Sequence, residues 1–551
     1  MTLPPQTAAV LGPAVEQPVP AEPGILPAKA SFVTGETVAV DLIVPAGTEG
    51  TLTVLSLGDP VLRLTGRGHG THSLGVLDPG CYGVEFTAEE LTLRTAIEVT
   101  ANPRARLRYG FVASYEPGKD VGAVIRRTRR LHLNAIQFYD WAYRHADLLG
   151  GGDEYQDALG QTISLSTVRS LAEALKASGA ASLGYAAVYA VGNDEWAQWQ
   201  HLALTTPTGT IHSLGDFLKL LDPAAEPWLT HFLDELDRAC AEVGFDGFHL
   251  DQYGYPKHAL TPDGRRVDLA ESFVKLIEEA RTKLPSSRLV FNNVNDFPTW
   301  ATAAAPQDAV YIEVWPPHVT LESLAKVIER AKAARKDQPV VLAAYQHVYA
   351  QTPDQASADR ATALTMATAF SHGATQLLAG EADRLLVDPY YVKSHPATPE
   401  TERFLTRWYD FLVEHDALLM DPDIHDVTGS YAGGYNDDAD VTYAQTPVTE
   451  TPAAGAVWRR VTSTPQGLVI HLINLNGQAD TLWDASRAEP LSPGEGILRF
   501  RRTGRSLPRI RVADPDTCAR LTDVPYTVDG DYVLAQLPAP HLWQIVHITE
   551  D

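Results

Sequence analysis

Cysteine is nearly absent from this chain of 551 residues: Cys81, Cys240 and Cys518 are all it has. They are far apart and odd in number, so no disulfide framework can use all three, and no pair has metal-ligand spacing. Cys240 lies in the helical pattern DRACAEVG and reads as a small buried apolar residue. Positive charge is scarce too. Lys and Arg number 44 against 69 Asp and Glu, a formal net charge of −25. Such a chain lacks the cationic face that phosphate backbones and anionic lipid surfaces require, so neither nucleic acid nor membrane is expected as a partner. A neutral ligand such as a sugar meets no such barrier. No window reaches the run of about 18 apolar residues that a membrane span needs. The opening segment, MTLPPQTAAVLGPAVEQPVPAEPG, has no Lys or Arg, and Pro interrupts its apolar runs. It lacks the basic and apolar regions of a secretion signal, so a cytoplasmic location is expected, or secretion if a native N-terminus has been removed.

Hydrophobic residues make up 44% and charged residues 21%, an ordinary globular balance with length for about three domains. Residues 1–24, rich in Pro and Ala, read as an extended segment. Over 25–103, runs such as GETVAVDLIV and LTLRTAIEVTA alternate and are broken by Gly, Pro and Asp, the pattern of a small β-sandwich. Over 104–421 the pattern changes. Strand-like runs (LRYGFVASY, NAIQFYDW, ASLGYAAVYAV, GFHLDQYG, RLVFNNVN, AVYIEVW, PVVLAAYQHVY, TQLLAGE) alternate with amphipathic segments, FPTWATAAA being the weakest of these. Eight such units predict a (β/α)₈ barrel of the TIM type. An open doubly wound sheet would more often carry a Gly-rich phosphate turn, which is missing. From 422 to 551 short strands return, reading as a second β-sandwich.

In a barrel, chemistry sits at the C-terminal ends of the strands. Those ends offer Gln137, Tyr139, Asp140 and Trp141, then Tyr185 and Tyr189. The next strands offer His249 and Asp251, Asn292 and Asn293, then Glu313 and Trp315. The last two offer Tyr345 and His347, and Glu381. The set is carboxylates, amides and aromatics. It has no Ser-His-Asp elbow and no HExxH. Flat aromatic faces stack on sugar rings and amides bond their hydroxyls. Glycosidic cleavage needs two carboxyl groups, and Asp251 and Glu313 are the candidates, one as nucleophile and one as proton donor. Glu313, in YIEVW, has the apolar flanks that raise a carboxyl pKa. Other readings stand beside these. Asn292 and Asn293 suit a helix cap, Tyr139 and Trp141 suit barrel packing, and His249 suits either a core histidine or a partner of Asp251. A metal site of His249, Asp251 and His347 lacks an HxH pair, and no metal or organic cofactor is expected.

The ordered motifs RYGFVASY, LNAIQFYDWAYRH, GFDGFHLDQYG, FNNVND, YIEVWPP and LLAGEADRLLVDPYY resemble glycoside hydrolase family 66. That family contains endo-dextranases and cycloisomaltooligosaccharide glucanotransferases. The resemblance implies an immunoglobulin-like domain before the barrel and a β domain after it. It implies a retaining mechanism with Asp251 as nucleophile and Glu313 as acid/base, and Tyr139 and Asp140 holding glucose where the bond is cut. The implied substrate is an α-1,6-glucan, dextran or, for a cytoplasmic protein, imported isomaltooligosaccharide. Members making cyclic products carry a carbohydrate-binding module inserted in the barrel. Here the stretch from Glu313 to Glu381 is filled by two strands and two helices, so hydrolysis is expected over cyclisation.

Two other functions compete. DGFHLD resembles the DGFRxD of α-amylase-like glucosidases, but His249 stands where that motif has Arg, and the EHD at Glu414–Asp416 lies in a helical pattern. A non-catalytic glucan-binding protein would not need both carboxylates.

Overall fold

Eight short parallel strands form one sheet. They are β1 (Tyr109–Val112), β2 (Ala135–Phe138), β3 (Ala181–Ala187), β4 (Gly247–Asp251), β5 (Arg288–Val294), β6 (Ala309–Glu313), β7 (Val340–Ala343) and β8 (Ala374–Gln376). The computed structural model describes residues 22–550 except Ala46, Tyr435 and Arg505. The extended segment expected over 1–24 therefore lies, but for its last three residues, outside the described residues. The order runs β1 to β8, each strand parallel to the next in sequence, and the Phe111 N–H donates to the Ala379 carbonyl at 3.1 Å to join the two ends. Gly380 makes this closure possible. Its φ is +147°, and a Cβ there would stand 2.4 Å from the Phe111 carbonyl oxygen.

Helices follow the strands: α1 (Val121–Arg130), α2 (Leu165–Ala177), α3 (Glu226–Val243), α4 (Leu269–Lys283), α5 (Thr299–Thr302), α6 (Leu321–Ala334), α7 (Gln355–Ser371) and α8 (Pro399–Glu414). Most begin at a side chain that takes an orphan backbone N–H: Asp120, Ser164, Asp268, Thr320, Asp354 and Thr398. The segment after β5 forms a single turn. Because both faces of the sheet are covered, β1, β2, β6 and β7 are buried at every residue. One side of each strand fills the barrel with Tyr109, Phe111, Leu183, Val290, Tyr311 and Val341, and the other meets the helices. Nearly all of α7 is buried, because the C-terminal domain covers the face that would otherwise meet water; Phe370 packs 6.3 Å from the ring of Trp543.

Sheets of three and five strands precede the barrel, and sheets of seven and four follow it, each pair packed around its own apolar core. The N-terminal sheets dock through a buried Glu98–Arg108 pair at 2.6 Å. Asp410 of α8 accepts from the Ala96 N–H at 3.1 Å and pairs with His132 at 2.7 Å.

Candidate active site

At the C-terminal mouth of the barrel, strand periodicity turns Asp251 and Glu313 toward one cavity of about 390 Å³. A single nitrogen joins them. Asn292 Nδ2, on the strand between, donates to Asp251 Oδ1 at 2.7 Å and to Glu313 Oε2 at 2.9 Å. Two oxygens that close to one nitrogen are less than about 6 Å apart. The outer oxygens have their own donors. Tyr185 OH reaches Asp251 Oδ2 at 2.7 Å. Trp315 Nε1 and Tyr345 OH reach Glu313 Oε1 at 2.9 and 3.1 Å. Asn292 Oδ1 is buried with no protein partner, so the wall keeps an acceptor for an incoming hydroxyl.

Burial, followed by the charge of Glu313, pushes Asp251 up to about 7. Burial also raises Glu313, against the three donors that favour its ionised form. Burial thus favours the protonated form of both carboxyls, and the charge of Glu313 adds to that on Asp251. Asp140 stands at the end of β2 with φ +45°, a strained position for a residue with a Cβ. Burial and then Asp157 push it up to about 8. Beneath the pair lies His249, which burial alone lowers to about 3. It packs 4.7 Å from the ring of Tyr311 and also lines the cavity beside Tyr185. His347 is bonded to Asp484 instead. Among the described residues no group of three or more His, Cys, Asp or Glu is placed to hold a metal.

The glycosyl hydrolase family 66 model matches residues 75–547. The chain belongs to that family. Two cycloisomaltooligosaccharide glucanotransferases of Niallia circulans are each 26% identical to it, over 306 and 295 residues. These matches cover 50% and 48% of this chain but only 32% and 31% of those proteins, so the chain spans about a third of the length of the curated relatives it matches. A Paenibacillus sp. cycloisomaltooligosaccharide glucanotransferase, solved with cycloisomaltoheptaose, superposes with a TM-score of 0.83 at 19% identity, covering 95% of this chain and 99% of that one. A Geobacillus thermoleovorans α-amylase complexed with acarbose shares only the broader fold, with a TM-score of 0.52 and 12% identity over 81% of this chain and 99% of that one.

Within this family 66 barrel, Gln137, Tyr139, Asp140, Asn292, Trp315 and Tyr345 line the cavity with the two carboxylates. Four other expected residues are elsewhere. Trp141 is fully buried, donating from Nε1 to the Tyr185 carbonyl at 3.1 Å and packing 4.7 Å from Phe245. Tyr189 ties down the loop after β4, donating to the Tyr255 carbonyl at 2.6 Å and accepting from the Tyr253 N–H at 3.1 Å. Asn293 faces the other side of β5, donating to the Tyr311 carbonyl at 2.9 Å and accepting from Thr302 OH at 2.5 Å. Glu381 accepts from the Ala113 and Ser114 N–H groups at 2.8 and 3.2 Å and pairs with Lys119, closing the barrel. In their place the wall includes Tyr185, Tyr253, Tyr391 and Phe217. Tyr185 has the strand parity of the inner face. Tyr391 and Phe217 come from loops, where no periodicity marks them.

Proposed function

We propose that this protein is a retaining glycoside hydrolase acting on the α-1,6 linkages of dextran or isomaltooligosaccharides. The carrying observation is the Asn292 nitrogen shared by Asp251 and Glu313. It keeps one oxygen of each carboxyl within about 6 Å of the other, which supports double displacement, for which about 5–5.5 Å is usual, over inversion, which leaves about 6.5–9.5 Å for a water. Asp251 attacks the anomeric carbon as Glu313 gives its proton to the leaving O6. Glu313, now ionised, takes a proton from water, whose oxygen displaces Asp251 and restores the starting configuration. Tyr185 and Asn292 hold Asp251 in line for attack. Asn292 Oδ1 and the aromatic wall suit hydroxyls and ring faces.

The similarity to cycloisomaltooligosaccharide glucanotransferases supports the substrate class. Between Glu313 and Glu381 the chain forms β7, β8, α6, α7 and one short helix, Val348–Gln351. The test is product analysis of wild type and Asp251→Asn on dextran, isomaltooligosaccharides, starch and pullulan, with the first-formed anomer followed by NMR. Isomaltooligosaccharides of retained α configuration, abolished in the variant, are expected. Cleavage of starch but not dextran, or an initial β anomer, would overturn the reading.

A further inference from the structure

One stretch of the C-terminal domain leaves its sheets between the strands Gly467–Asn474 and Gly496–Arg501 and crosses onto the barrel. It first grips the loop after β6. The Thr481 carbonyl accepts from the Leu321 N–H at 2.9 Å, the Trp483 N–H donates to the Val319 carbonyl at 3.2 Å, and the Trp483 indole donates to the His318 carbonyl at 2.7 Å. The next residue grips the loop after β7. Asp484 Oδ1 accepts from the Val348 N–H at 2.9 Å, and Oδ2 meets His347 Nδ1 at 2.9 Å. Both oxygens of Asp484 are thus bonded to the barrel, at the head of one loop.

Those two loops carry both donors to Glu313 Oε1, Trp315 and Tyr345. Their rings are 5.5 Å apart, and the His347 ring lies 6.4 and 6.2 Å from them. The His347 N–H also donates to the Tyr345 carbonyl at 3.1 Å. The charged groups facing His347 are Asp484 and, further off, Asp388, and both favour its cation. Tyr345 and Trp315 face it as neutral rings.

We infer that Asp484, supplied by the C-terminal domain, is a positioning residue for Glu313: it fixes His347, and through it the Tyr345 and Trp315 that bond Glu313 Oε1. The inference rests on Glu313 being the acid/base. Loosened donors favour the protonated carboxyl, so Glu313 keeps its proton to higher pH in either variant.

The experiment is kcat and KM against pH for wild type, Asp484→Asn, His347→Gln, the double variant and Glu313→Gln. In Asp484→Asn, kcat falls on the order of tenfold, as small misplacements of a reacting group cause. KM stays nearly constant and the alkaline limb moves to higher pH. His347→Gln moves it the same way, and the double variant is no worse than the worse single one because the two act in one chain. A loss that only tracks the folded fraction by near-UV circular dichroism, with the limb unmoved, overturns the inference. If Asp484→Asn does not fold, an unmoved limb in His347→Gln does so alone. A fully active Glu313→Gln removes the acid/base reading as well. An inactive one beside an unmoved limb removes the inference only.

Discussion

Asn292 is the residue on which the two carboxyls depend together. Its N–H bonds favour the ionised form of both, so its removal raises their affinity for protons. In the proposed mechanism catalysis needs one proton on the pair, and the alkaline limit of activity comes when that proton leaves. In Asn292→Ala, kcat should fall on the order of a hundredfold, as when one preorganised donor is lost. The alkaline limb of kcat/KM, which reports the free enzyme, should move to higher pH. An unmoved limb would show that the amide does not act on the proton balance. The residue scale is also where the sequence was most legible. Asp251, Asn292 and Glu313 sit on strands whose period of two holds to the last residue, so their direction could be read. Asn293 follows Asn292 and must therefore face outward. Trp141 and Tyr189 share the inner parity of Tyr139 and Tyr185, yet the chain turns before reaching them. Asp140 at φ +45° ends the alternation in β2, and β3 ends at Ala187, after which Val188 and Tyr189 form a turn.

The barrel as an element closes at Glu381, between Gly380 and Ala382, both at positive φ. Sequence placed Glu381 at the mouth as a sugar ligand. The structure gives it two backbone N–H groups after β1 and the amine of Lys119, with both side chains nearly buried. Removing one partner of such a pair leaves an uncompensated charge, which costs about 3–5 kcal/mol. Glu381→Ala should lower the denaturant midpoint accordingly, while the folded fraction keeps the wild-type KM. A raised KM at unchanged stability would restore the ligand role. Eight β–α units were legible because each strand is followed by an apolar stripe of helical period. α5 and α7 were not fully so, for different reasons. α5 is short because Asn293 and Thr302 bind it to β5 within one turn. α7 is covered on all sides by a domain whose position no local pattern records.

At the scale of the whole molecule, the domains are joined by polar pairs far apart in sequence, such as Arg94 with Glu414 at 2.6 Å, and no spacing rule reveals these. The joint between the C-terminal domain and α8 carries a titrating group. His541 Nδ1 lies 3.0 Å from Asp516 Oδ2, and Nε2 lies 3.2 Å from Glu489 Oε1. Asp516 also accepts from Trp408 Nε1 of α8 at 2.9 Å. The hydrogen bond that His541 donates to Asp516 pushes it up from about 6.5 to about 9, burial opposing it and Glu489 assisting. The folded protein therefore binds this proton more tightly than the unfolded chain. Its stabilising share is complete below pH 6.5 and is lost as pH rises through 9. The thermal midpoint of wild type should fall over that window. His541→Gln should begin lower at pH 6, lacking the charged pair, and should not share the fall. Parallel decline of both proteins would place the pH dependence over that window at another joint. Burial pushes Glu414 up to about 7; the stability it lends is therefore present in acid and lost earlier, as pH rises through 7. The two joints are thus distinguishable by the pH at which the midpoint begins to drop.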